Sequence, residues 1–286
     1  MRFLNLDHTQ ETISRLVTAL HGCEPMPDEL DTSYRRVISK MRVLPAPPVG
    51  TEVQFRQGPW GQHLEKGRTF EHLVEGLADT EAHQEMEWFR QLEAAIAHTE
   101  ELSAGLGALV NLVVTDIVCF SSKNKGSASA SHLPGLVSMS PGDSWQVYDF
   151  ADSLVRQAVH LNVYLADMAY RLYTKPVREL AGDEHRVVSA VNAGHMRPLD
   201  QAFHSGAVVP PLMLMQARRG KTDRVDQLRD SLRECTDGLM DKLGQFTPYG
   251  QLLVQELREF TDSYDLDLVA ESVSGERFAH YDMSAA

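Results

Sequence analysis

Between Gly142 and Pro176 the chain contains neither glycine nor proline. With both strong helix breakers absent, this segment reads as one long helix over roughly 146–173, which TKP ends at Pro176. The stretch before it, LPGLVSMSPGD at 133–143, has the pattern of a short strand, Leu136 to Met139, closed by a Pro-Gly turn. A short strand leading into a long helix is the frame that the remaining segments must accommodate.

Upstream, residues 9–22 read as a first helix, with Ile13, Leu16, Val17 and Leu20 at helical spacing and Thr9 as its cap. PAPPVG at 45–50 breaks the chain, and TEVQF at 51–55 alternates as a short strand does. Residues 79–105 are helical in character, with Met86, Phe89, Leu92 and Ile96 on one stripe. The β-branched run 109–120 fits a buried strand or a helix end, and SSKNKGSASAS at 121–131 has the composition of a flexible loop. Downstream, Pro198 suits the first turn of a helix running through FHSGAVV towards Pro210 and Pro211, where it must bend or stop. Helices are expected over about 222–243 and 248–262, and the tail FAHYDMSAA is expected to be mobile. There is no internal repeat. The sum is a predominantly α chain of the α+β class: a helical single domain with a small β-sheet, in which 1–45 is an N-terminal helical segment and 46–286 the main domain.

Composition narrows the function classes. A formal net charge of −13 lacks the basic footprint that phosphates require, so general nucleic-acid binding is not expected. Cys23, Cys119 and Cys235 are far apart and form no CxxC pair, which suits reduced thiols and a cytoplasmic location. MRFLNLDHTQETISRL carries acidic residues and no apolar core, unlike a secretion signal. The longest apolar run, ALVNLVVTDIVCF at 108–120, is broken by Asn111 and Asp116 and is too short for a bilayer, so no membrane partner is expected. Nucleotide-binding glycine motifs and a GxSxG elbow are absent. Trp60 and Trp88 are read as core residues before pocket residues, the Met-rich PLMLMQ (211–216) as core packing, and His63 and His72 as solvent-facing. His195, His160 and His204 can each serve as an axial haem ligand, but without CxxCH there is no covalent attachment of that type.

The long helix carries SLVRQAVHLNVYLADM, 153–168. A metallopeptidase-like helix places His, Glu and His at the spacing of 156, 157 and 160, because residues four apart share a face and converge on one metal while the Glu serves bound water as a base. Here the three are Arg156, Gln157 and His160. A guanidinium has no lone pair to ligate with, and an amide does not titrate near neutrality. The plain structural account makes Asp152 and Arg156 an i, i+4 ion pair worth about 0.3–0.5 kcal/mol on an exposed helix, with His160 a hydrogen-bonded histidine.

A second group lies in AGHMRPLDQAFHSGAVVPP, 193–211: His195, Arg197, Asp200 and His204. Asp200 and His204 share a helix face. Arg197 just before the helix start, with the start's own N–H groups, makes a seat for a carboxylate or phosphate. His204 stands in an apolar run, which points to burial.

Taken together, LPGLVSMSP, FADSLVRQAVHLNVYL and MRPLDQAFHSGAVV resemble the HExxH-type proteins of bacterial peptide and natural-product modification, including 2-oxoglutarate-dependent peptide β-hydroxylases. The resemblance covers about residues 108–216. It implies a tailoring enzyme acting on a small-molecule or peptide substrate, free or carrier-bound, by oxidation with Fe(II) and 2-oxoglutarate. His160 and His204 would be metal ligands and catalytic residues, and Arg197 would grip the cosubstrate carboxylate. Arg156 and Gln157 depart from the pattern at the first ligand and its acidic neighbour. Either a changed set of His160, His204 and one carboxylate, Asp200 or Asp152, holds the metal, or the metal is gone. In the second case Arg156 and Arg197 hold an anionic group, with the histidines left for proton transfer or the protein left as a binding protein.

Overall fold

The first helix starts earlier than apolar periodicity alone indicates. In the computed structural model, which describes residues 1–275, α1 spans Leu6–His21. Asn5 caps it, its Oδ1 accepting the His8 N–H at 2.9 Å. Thr9, expected as the cap, lies inside the helix and donates its hydroxyl back to the Asn5 carbonyl at 2.9 Å. The apolar stripe marks where a helix is buried, and the side chain that can reach a free N–H decides where it begins.

The described residues are 63% helical, with eleven α-helices and a small mixed sheet, so the fold is predominantly α within the α+β class. The chain divides into two compact units, Ile13–Tyr164 and Met1–Thr12 with the chain from Leu165 onward. The first, here the sheet unit, holds α2 (Leu30–Met41), β1 (Glu52–Phe55), α3 (Pro59–Gly67), α4 (Glu71–Val74), α5 (Ala82–Leu102), α6 (Ala104–Val113), β2 (Asp116–Cys119), β3 (Gly126–Ala128), β4 (Leu136–Ser140) and most of α7 (Val147–Tyr170). The second, the helical unit, holds the end of α7, β5 (Val187–Val188), β6 (Met196–Arg197), α8 (Leu199–Arg218), α9 (Thr222–Asp241), α10 (Pro248–Ser263) and α11 (Leu266–Ser274).

In the sheet unit the strand order is β1-β2-β4-β3. β1, β2 and β4 are parallel, with Val53 opposite Ile117 and Ile117 opposite Val137. β2 and β4 are buried along their whole length, as parallel strands covered on both faces must be. Val118, Phe120 and Leu136 pack with Trp60, Leu64, Leu73 and Leu133 into one core. The run 109–120 is helix end and strand in succession, since α6 stops at Val113 and β2 begins at Asp116. SSKNKGSASAS is not loop throughout. It contributes β3, antiparallel to β4 with Ser127 opposite Met139. Gly, Ser and Ala have little strand preference of their own, so this strand is made by its partner.

In the helical unit α8 runs on through Pro210 and Pro211 instead of stopping there. Each proline removes one helical hydrogen bond. The offset is burial: Val208, Val209, Met213 and Met215 are all 0% exposed. The Met-rich stretch is core, as expected. Pro198 occupies the position before the first helical residue. Thr247 caps α10, accepting the Gly250 N–H at 3.2 Å, and Pro248 opens that helix. FAHYDMSAA lies outside the described residues. Among the described residues no helix is long and apolar enough to cross a membrane.

Candidate functional site

The motif residues of α7 in the sheet unit meet the edge strand β3. Gln157 is 3% exposed. Its Nε2 donates to Ser127 Oγ at 3.0 Å, and its Oε1 accepts from Ser129 Oγ at 2.8 Å. Both ends of the amide are used, so Gln157 ties helix to strand. A glutamate there would have no N–H for Ser127.

Arg156 is its neighbour. Its Nη2 donates to Ser153 Oγ at 3.2 Å and, more weakly, to Ser127 Oγ at 3.5 Å. Its Nε is buried without a partner. A guanidinium offers five N–H donors, and here they meet only neutral hydroxyls. Burial lowers the Arg156 pKa from its ordinary value, and the charge of Asp152 one turn away acts in the opposite direction. Ser127 Oγ accepts from both Gln157 and Arg156, which fills its lone pairs and leaves its own O–H to donate. Arg156, Ser127 and Ser153 therefore form a corner of donors around a half-buried positive charge.

The second group lies in the helical unit. His204 is 6% exposed, and burial pushes its imidazole down to about 3, so the ring is neutral at physiological pH. One turn earlier on α8, Asp200 is half-buried. Burial raises its carboxyl, the backbone N–H groups of Gln201 and of Asp200 itself act against this, and the nearby Asp167 raises it further. The start of α8 thus already holds a carboxylate of its own. Asp167 is raised by burial too, opposed by the Leu172 N–H, which its Oδ1 accepts at 2.7 Å, and by Arg171. Arg171, in the left-handed region with φ 57°, turns the chain at the end of α7. Arg197 and His195 are both exposed. Arg197 belongs to β6, opposite Val187, and the His195 carbonyl accepts the Ser189 N–H at 2.9 Å in the turn before it.

His160 is half-buried on α7 in the sheet unit, and Asp200, His204 and Arg197 belong to the helical unit. Among the described residues no group of three His, Cys, Asp or Glu side chains is placed to hold a metal ion. Arg156, at the first-ligand position of the motif, has no lone pair to contribute.

Ser127, Ser129 and Asp167 join these groups without having been singled out in the sequence. For Asp167 a signal exists: an acidic residue in the last turn of a helix opposes the helix dipole and so needs a local reason. For the two serines there is none, because they sit in a low-complexity stretch whose partner lies about thirty residues on. The chain matches no protein-family model and no curated protein.

Proposed function

We propose that the protein binds the carboxylate or phosphoryl group of a small molecule or peptide at Arg156, with the Ser127 and Ser153 hydroxyls beside it. The observation that carries this is the state of Arg156: a guanidinium drawn out of water, with serine hydroxyls on its Nη2 and a buried Nε that has no partner. A buried charge is costly unless it is paired, and an anionic ligand is the partner that completes this corner. Charge-assisted bonds from a planar guanidinium suit both carboxylate and phosphate geometry. Gln157 supports the site by fixing α7 against β3 at Ser127. The departure from the motif thereby has a use, since the same position that cannot hold a cation can hold an anion.

Calorimetric titration of the protein with inorganic phosphate and with succinate tests this. One of them binds saturably, and Arg156→Met weakens it about tenfold or more, the loss of a charge-assisted bond. Arg156→Lys, which keeps the charge but not the fork, recovers part of the affinity. Equal binding by wild type and Arg156→Met, or no binding of either anion, overturns the proposal. Stoichiometric Fe(II) that is lost on His204→Ala replaces it with the oxidative function.

A further inference from the structure

A cavity of the sheet unit, of about 290 Å³, lies between α5 and the turn that leads into α7. Three aromatic side chains wall it: Trp88 of α5, Trp145 of the turn and Phe150 of α7. Trp145 meets Phe150 edge to face, with ring centroids 5.3 Å apart at 87°. The indole lies down on the turn because position 142 is glycine; a Cβ there would stand 2.7 Å from Trp145 Cδ1. Trp88 is thus both nearly buried and a pocket wall, where its sequence context put core ahead of pocket.

The polar lining is acceptor-rich. Gln91 donates through Nε2 to Glu87 Oε1 at 2.7 Å. A carboxylate only accepts, so the amide nitrogen must face Glu87, and Gln91 Oε1 is the end left over. That oxygen is buried and has no partner. The charged side chains lining the cavity are Glu87 and Asp143, both acidic, and no lysine or arginine is among the lining residues. Lys125 Nζ approaches Asp143 at 3.8 Å, where the Asp143 side chain is fully exposed, so solvent screens that pair.

We propose that this cavity binds a primary alkylammonium ion, with its N–H groups on Gln91 Oε1 and Glu87 and its alkyl chain and charge against Trp88, Trp145 and Phe150. An orphaned acceptor and a carboxylate ask for a charged donor, and aromatic faces attract a cation in the same space. A neutral sugar also stacks on tryptophan but leaves the two acidic charges without use. The proposal is independent of Arg156.

Titration of the full chain with n-butylammonium chloride, read by tryptophan fluorescence against matched sodium chloride, tests it. The expected result is a saturable change that Gln91→Leu and Trp145→Ala each weaken about tenfold. Glu87→Gln, a milder change on an exposed side chain, weakens it in the same direction, and Arg156→Met leaves it unaltered. No saturable change, a change that survives both Gln91→Leu and Trp145→Ala, or glucose producing the change in place of butylammonium overturns the proposal.

Discussion

Arg42 and Arg156 both enter the interior of the sheet unit, and they are treated differently. Arg42 is buried with Asp116 at 2.6 Å, the two side chains 0% and 1% exposed. It also donates to Thr115 Oγ1 at 3.2 Å and the Pro134 carbonyl at 3.1 Å, and lies 5.2 Å from the Trp60 ring centre. Trp60 Nε1 in turn donates to the other Asp116 oxygen at 3.1 Å. Arg156 is hydrogen-bonded to hydroxyls, with the charge of Asp152 one turn away. In both the Nε is unpartnered, so an unmade hydrogen bond does not separate them. What separates them is the group on the guanidinium: a buried carboxylate for Arg42, hydroxyls for Arg156. A cation bonded to a buried carboxylate belongs to the fold, and one bonded to hydroxyls keeps room for a ligand.

The largest effect should come from breaking the matched corner. Arg42→Met strands Asp116 in the core, and denaturant unfolding should show a loss of about 3–5 kcal/mol, as for other buried pairs deprived of one partner. A loss under about 1 kcal/mol would erase the contrast between the two arginines.

His204 shows a third way to bury a base, by leaving it neutral. Its imidazole titrates at about 3 in the folded chain and near 6.5 when unfolded. Between those values the unfolded chain binds more protons. The stability this contributes is therefore complete above pH 6.5 and is lost as pH falls towards 3, on the order of a few kcal/mol. Asp167 and Asp200, raised by burial, work in the opposite sense: their contribution is lost as pH rises. Unfolding followed from pH 7 to pH 4 should slope less in His204→Gln than in wild type; identical slopes would show that the ring is not held neutral.

Gln157 sharpens the contrast at the position next to Arg156. Gln157→Leu loses the ties to Ser127 of β3 and to Ser129 just after it, and should cost about 1–2 kcal/mol in thermal or denaturant unfolding. An unchanged midpoint would mean that Gln157 does not hold strand to helix. The smallest effect concerns reactivity alone. Burial pushes the thiols of Cys119 and Cys235 up to about 12, and Cys23 is exposed. A thiol reagent should label Cys23 in the native protein and the other two only on unfolding.

Local pattern made much of the fold legible. The absence of breakers after Gly142 marked α7, and alternation or β-branched runs marked β1, β2 and β4. The features that were not legible depend on contacts distant in sequence. β3 exists because β4 pairs with GSA, and α8 passes through Pro210 and Pro211 because its surroundings bury it. At the site, the departure of Arg156 and Gln157 from a metal-binding pattern was plain in the sequence, and the burial of His204 followed from its apolar neighbours. That Gln157 is spent on Ser127 and Ser129, and that Arg156 meets the Ser127 hydroxyl, required the strand to be placed beside the helix.

The comparison is tested most directly by the stability of Arg156→Met in denaturant, without added anion, beside wild type and Arg42→Met. If Arg156 is held for a ligand, removing its charge relieves the cost of drawing it out of water, and the variant should be as stable as wild type or more so. If Arg156→Met instead loses as much as Arg42→Met, Arg156 is part of the structure and the anion site is contradicted.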